Sequence, residues 1–357
     1  MSIEPGCQFA SDNTAGICPE AMSAMIQANQ ASARPYGEDP WSKRATTLIR
    51  DLFEVDCQVF FTFNGTAANA LALSTMCQSH HSVLAHQWSH VETDECGAPE
   101  FFCNGSKILL VPGAHGRVDG EMVAEIAGSR TDVHFPKAKA VSVTQSTEVG
   151  TVYDLDSLQC IGESARQCNL NYHMDGARFA NAIATLGVAP SEVTWKRGVD
   201  VLCLGGTKNG MAVGDCVVFF NHDLGQEFEY RCKQAGQLAS KMRFLSAPWV
   251  GLLTDHVWLN NAKHANRMAK TLASGLEALG VRIAAPVESN AIFADLSPKQ
   301  TAAMRQRGWI FYEFDGIGTP RLMCSWKTTE EEIDAFLADC KNADQASMVE
   351  QQERSCD

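Results

Sequence analysis

Lys208 lies in "DVLCLGGTKNGM" (200–211), where an apolar run meets glycines at 205, 206 and 210. A surface ammonium needs no such setting. A lysine that forms a covalent imine does, because it must spend part of its time neutral, and burial near other cations favours that state. The glycines leave room for a flat ring to approach the backbone. Taken alone, the stretch also suits an exposed turn, and it lacks the GxxxxGK[ST] order of a P-loop.

Three further stretches carry chemistry of a matching kind. In "HMDGAR" (173–178), Asp175 is suited to capping a helix or to pairing with a protonated ring nitrogen, as pyridoxal phosphate requires. Arg178 adds a planar fork for a carboxylate or phosphate. In "FNGTAANALAL" (63–73), Gly65 and Thr66 open a helix whose first N–H groups suit a phosphate, or else form an ordinary capped turn. In "HQWSHVETDE" (86–95), His90 is suited to stacking on a ring, to moving a proton, or to a structural role. Asp94 and Glu95 read as solvent-facing or helix-capping, and His86 is the weaker histidine.

The elements that must position these residues alternate. Strand-like runs at 57–63, 82–86, 107–112, 138–145, 169–175, 199–205 and 215–220 are separated by several helical stretches, including 119–128, 154–168 and 178–187. That alternation predicts an α/β domain with a mostly parallel sheet. All four stretches then fall where ligands bind such sheets, beyond the carboxyl ends of the strands. From about residue 251 the pattern becomes a long helix (253–280) and then short mixed elements. The expected organisation is a large domain over 1–250 with an N-terminal arm, a small α+β domain over 251–342, and a flexible polar tail over 343–357.

Composition narrows the class. The chain has 357 residues, 45% of them hydrophobic, and a net charge of −13 without a Lys/Arg run. This argues against nucleic acid and anionic membrane as partners. Fourteen cysteines form no CxxC pair, so zinc ribbons and dithiol redox motifs are not expected, and no metal is assigned. Neither a secretory leader nor an apolar run of ~20 residues is visible, so a reducing cytoplasm is expected.

A phosphate cup, a ring-facing histidine, a carboxylate and a lysine, each beyond a strand of one sheet, form the set that pyridoxal 5'-phosphate needs. The chain also resembles the L-threonine aldolase family of β-eliminating lyases, and within it the bacterial threonine/phenylserine aldolases. The resemblance rests on "SDN" (11–13), "YGEDPW" (36–41), "NGTAAN" (64–69), "SHVETDECGAPE" (89–100), "HMDGARFANA" (173–182), "GGTKNGMAVG" (205–214) and "QLASKMRFLSAPWVG" (237–251). It implies an aspartate-aminotransferase-like (fold type I) architecture and a homo-oligomer, dimer or tetramer, with shared sites.

Carried over by position, the resemblance makes Lys208 the imine-forming lysine and Asp175 the partner of the ring nitrogen. His90 covers the ring face, while Gly65 and Thr66 bind the phosphate. Arg178 and Arg321 (in "PRLMCSW") hold the substrate carboxylate with Ser11, and Arg178 also faces the cofactor. Arg243 lies near the phosphate, from a neighbouring subunit, and Tyr36 sits at the subunit boundary beside the substrate. One departure stands out. Many relatives carry "ENTH" where this chain reads "TQSTE" (144–148), so a second imidazole is missing and more weight falls on His90 or an ordered water.

The implied reaction is cleavage of L-threonine, L-allo-threonine or L-β-phenylserine to glycine and an aldehyde. A β-eliminating lyase or aminotransferase on the same fold is the alternative enzyme. A catalytically silent α/β binding protein is the alternative from outside enzymology.

Overall fold

The computed structural model describes residues 8–314 and 316–354. Helix α1 (Pro19–Ala28) and helix α2 (Pro40–Phe53) precede the sheet, each with proline in its first turn. Asp39 caps α2 by accepting the Ser42 N–H at 2.8 Å, which satisfies one of the unpaired donors of a helix start. Strand β1 (Gln58–Thr62) then leads directly into α3 (Gly65–Met76).

The remaining strands of the large sheet are β2 (His81–Ala85), β3 (Lys107–Leu110), β4 (Lys137–Thr144), β5 (Asn171–Gly176), β6 (Val201–Gly205) and β7 (Asp215–Phe219). Their spatial order is β1-β7-β6-β5-β4-β2-β3. All run in one direction except β7, which is antiparallel to both β1 and β6. The expected α/β domain with a mostly parallel sheet is therefore what forms.

Helices Gly120–Ser129, Leu155–Gln167 and Phe179–Leu186 make the crossovers. Side chains alternate across the sheet, as a two-residue period dictates. Leu202 and Leu204 of β6 enter one core with Phe53, Tyr172 and Phe179. Val201 and Cys203 enter the opposite core with Leu71, Val217 and Phe228. Burial on both faces explains why these strands read as unbroken apolar runs.

Beyond the sheet come α4 (Arg243–Leu253), α5 (Val257–Ala278), β8 (Ala291–Phe293), β9 (Tyr312–Phe314), β10 (Thr319–Met323) and α6 (Glu330–Arg354). The three strands form an antiparallel sheet with β10 in the centre. The long helix begins four residues later than the pattern predicts. Asp255 and His256 adopt left-handed backbone (φ 52° and 56°), which a right-handed helix cannot contain. Gly280 (φ 81°) follows its far end, in the role that glycine after a helix suggested.

A second core gathers Met268, Leu272, Ile292, Leu322 and Phe336. Phe9 belongs to it as well, stacking on Trp309 with ring centres 5.6 Å apart. The N-terminal segment thus reaches across to the later half of the chain. Of the stretch read as a tail from 343, the backbone is helical to Arg354, and residues 355–357 lie outside the described residues. Every cysteine among the described residues is a free thiol. Among those residues, no helix is long and apolar enough to cross a membrane.

Candidate active site

Because β1, β2, β4, β5 and β6 run in parallel, their carboxyl ends share one rim, and each delivers a polar residue to it. Asp175 is the penultimate residue of β5 and is buried. Its Oδ1 accepts the Ala177 N–H at 2.9 Å, and its Oδ2 accepts an N–H of the Asn69 side chain at 2.8 Å. The carboxylate is held rigidly, as a partner for a ring nitrogen must be.

Lys208 sits in the turn after β6, in a short helical turn over Thr207–Asn209. Among the described residues its ammonium makes no hydrogen bond or ion pair. Burial pulls its pKa below the ordinary lysine range and the nearby Arg178 adds to this, against the opposing pull of Asp12, Asp175 and Asp215. The loop itself is pinned by Asp215, whose Oδ1 accepts the N–H groups of Gly206 (2.8 Å) and Thr207 (3.3 Å).

Gly65 and Thr66 occupy the first two positions of α3. The cap is Asn64, whose side chain accepts the Ala67 N–H at 2.9 Å. The Thr66 hydroxyl is not needed as a cap. The N–H groups of this first turn and their positive helix end remain suited to an anion.

His90 follows β2 and is held at two points. Its Nδ1 lies 2.8 Å from Glu95 Oε1, and its backbone N–H donates to Glu148 Oε1, also at 2.8 Å. Glu95 is buried, so the reading of that residue as solvent-facing or helix-capping is corrected. Its four-residue helical neighbourhood is too short to show an apolar face in sequence. Asp94 is exposed.

Glu148, the last residue of "TQSTE", also accepts the Thr144 hydroxyl at 2.8 Å, while its Oε2 is buried without a partner. Burial, then the neighbouring Asp175, push its pKa up to about 7. The stretch "TQSTE" thus brings a neutral-range acid to the rim.

Arg178 enters the site with its fork already engaged. Nε donates to Asp12 Oδ2 at 2.7 Å and Nη2 to Asp12 Oδ1 at 2.9 Å. Burial by itself would raise the pKa of Asp12, but Arg178 and then Lys208 outweigh it and hold that carboxyl below its ordinary range. Asn290 adds a donor to Asp12 at 3.1 Å. Ser11 caps the short turn that carries Asp12, accepting the Asn13 N–H at 3.1 Å, and this turn packs against the turn of Lys208.

Arg321, on β10, has a buried Nε with no partner. Burial, then Arg178, lower its pKa.

Tyr36 and Arg243 are not joined to this network within one chain. Tyr36 is 48% exposed, and its ring lies under Lys233. Arg243 donates to the Ala28 carbonyl at 3.1 Å and lies over the Phe244 ring. The sequence reading missed Asp12, Asn69, Glu95, Glu148, Asp215 and Asn290 as members of the site. Asp12 and Asn69 lay inside quoted motifs, but only the folded chain shows what they hold.

Ligand atoms of His90, Glu95 and Asp175 all fall within 4.8 Å of one another, a spacing compatible with a metal. The amide of Asn69 bridges the two carboxylates, however, and a hydrogen-bonded network accounts for the cluster.

Comparison with known proteins agrees with this geometry. Residues 8–299 match the family model described as beta-eliminating lyase. The low specificity L-threonine aldolase of Pseudomonas sp. is 56% identical over 94% of this chain and 97% of that protein. Among solved structures, Leishmania major threonine aldolase superposes with a TM-score of 0.88 at 30% identity, covering 94% of this chain and 98% of the other. An aspartate aminotransferase from Thermus thermophilus shares the fold with a TM-score of 0.70 at 16% identity, covering 95% and 91%.

The fold is thus the aspartate-aminotransferase-like one of pyridoxal-phosphate enzymes. The chain belongs to the beta-eliminating lyase family.

Proposed function

We propose that this chain binds pyridoxal 5'-phosphate and cleaves L-β-hydroxy-α-amino acids to glycine and an aldehyde. L-threonine, L-allo-threonine and L-β-phenylserine are the substrates in view. The observation that carries the reading is the combination, among the described residues, of a lysine with no hydrogen bond or ion pair, an arginine whose buried Nε has no partner and a carboxylate fixed by two donors. The residues present fit the cofactor. Lys208 would hold it covalently, Asp175 its ring nitrogen, His90 its face, and the first turn of α3 with Gly65 and Thr66 its phosphate.

When bound, this cofactor supplies a conjugated, protonated ring that accepts the electron pair of a breaking bond at Cα. The chain's own residues do the rest. Arg321 anchors the substrate carboxylate, with Ser11 beside it and with Arg178, whose Nη1 is left over from the Asp12 pair. That anchor would fix which Cα bond is presented for cleavage, and such orientation is a large part of catalysis. His90 takes the proton of the β-hydroxyl, the Cα–Cβ bond breaks to release the aldehyde, and Cα takes up one proton to give glycine.

Tyr36 and Arg243 make their contacts with Lys233, Ala28 and Phe244 and not with the rim residues, which supports a site completed across a homo-oligomer, as dimer or tetramer. We read the chain as a large domain over 1–250 and a small one over 251–342. A cytoplasmic setting is part of the same reading, supported by the free thiols.

The test is a spectrum of the purified protein followed by product analysis with threonine and phenylserine side by side. A yellow protein that releases glycine with acetaldehyde or benzaldehyde supports the reading. Release of ammonia with pyruvate, or of a keto acid, would overturn it in favour of elimination or transamination.

A further inference from the structure

We propose that Glu95 is a positioning residue. It fixes His90 as the Nδ1–H tautomer with Nε2 as the proton acceptor of the site, and Asn69 fastens this pair to Asp175. The inference rests on the aldolase reading for its chemistry, but its geometry stands on three contacts of 2.8 Å each. His90 Nδ1 meets Glu95 Oε1, and the two N–H groups of the Asn69 amide go to that same Oε1 and to Asp175 Oδ2.

The tautomer follows from the donors. As a carboxylate, Glu95 can only accept, so its Oε1 takes the Asn69 N–H and the ring N–H together and the proton of that ring edge resides on Nδ1. The lone pair is left on Nε2, which has no hydrogen bond among the described residues, and the ring is 36% exposed while Glu95 is sealed. A buried acid fixing an imidazole so that its far nitrogen works as a base is the logic of catalytic triads.

Charged groups bear on this ring from every side of the rim. Glu95 comes from its own loop, Asp175 from β5, Lys208 from beyond β6, and Glu148 from beyond β4 at the backbone N–H. Burial works against the imidazolium, yet the Glu95 bond and then Asp175 raise the His90 pKa above its ordinary value.

The proton balance is simple. The β-hydroxyl gives its proton to Nε2 and its oxygen becomes the aldehyde carbonyl as the Cα–Cβ pair is withdrawn. Glu95 offsets the imidazolium that forms. His90 returns to neutrality by losing one proton, and Cα gains one, so no oxidant or co-reactant is required. Asn69 makes this charge and the charge on Asp175 neighbours in one hydrogen-bonded chain.

The test uses the holoenzyme and its Glu95→Gln, Glu95→Asp and Asn69→Ala variants. The ring nitrogens are followed by ¹⁵N-histidine resonance, with His90→Asn to assign the signals. In the parent protein the neutral His90 should show a lone pair on Nε2. Glu95→Gln keeps an acceptor oxygen for Asn69 and Nδ1–H but removes the charge, so the tautomer should persist while the pKa falls. The same variant should lose kcat by roughly 10²-fold with KM little changed, and its pH–rate profile should lose the limb that tracks the His90 titration. Glu95→Asp should restore part of both, and Asn69→Ala should lower the His90 pKa less than Glu95→Gln does. An unchanged titration in a folded, cofactor-binding Glu95→Gln protein overturns the inference, and so does a parent protein whose neutral His90 carries its proton on Nε2. The resonance readout needs no substrate. A parent protein with the expected tautomer but no aldol cleavage would refute the functional reading alone, and an active parent whose Glu95→Gln variant titrates unchanged would refute this inference alone.

Discussion

Arg178 and Asp12 are 166 residues apart in sequence and meet as a two-pronged ion pair, Nε to Oδ2 at 2.7 Å and Nη2 to Oδ1 at 2.9 Å. The pair is nearly dry, with side chains 12% and 1% exposed. Under the proposed reading, it decides which arginine is free to receive a substrate. Arg178 is largely committed, and Arg321 is not.

Asp12→Ala should therefore be a stability mutation before it is an activity mutation. Removing one partner strands a buried guanidinium, a change that costs about 3–5 kcal/mol. Denaturant unfolding at neutral pH measures it. A loss below the scatter of surface substitutions would show that the pair is solvated in the native protein.

Arg321→Ala should raise KM for amino-acid substrates by about 100-fold, the loss of one or two charge-assisted hydrogen bonds. Cofactor absorbance should be unchanged. Bleaching of the cofactor with KM preserved would mean that this guanidinium faces the phosphate instead.

Lys208→Ala should abolish both the yellow form and turnover. The reading is that the amine supplies the covalent link, and among the described residues of the rim no other lysine stands in its place. Absorbance across the visible range and a glycine assay suffice, and a coloured, active variant would sink the assignment.

Glu148 gives a prediction on stability against pH. Its folded-state pKa of about 7 lies above the ordinary 4.5, so the folded chain binds this proton more tightly than the unfolded chain does. Stability contributed below pH 4.5 is lost as pH rises toward 7. Glu148→Gln should accordingly be the more stable protein above pH 7, by on the order of 3 kcal/mol at most, with the difference vanishing near pH 4. Paired melting curves across that range would show it, and a gap independent of pH would contradict it.

The strands and the rim were legible in sequence because apolar runs ended by Gly, Asp or His have a local cause. Lys208, Asp175 and His90 were found that way. Glu95 and Glu148 were not, because nothing in "HVETDE" or "TQSTE" tells a buried carboxylate from a solvated one. Their burial comes from β2, β4 and β5 lying side by side, which is tertiary. Asp12 was quoted in "SDN" yet its partner lay 166 residues on. Tyr36 and Arg243 were assigned by resemblance alone, and a single chain leaves both outside the hydrogen-bonded site.

The reversed strand has a mechanical consequence. Thr62, Asp215 and Gly205 lie in one row, the first and last closing β1 and β6 while Asp215 opens β7. Two parallel neighbours would need a crossover of a dozen residues or more. The turn-back replaces it with a short tether, clamped at Gly206 and again nine positions on at Asp215. An amine on so short a leash cannot swing far, and loosening the clamp by Asp215→Ala would lengthen its reach at the expense of its aim.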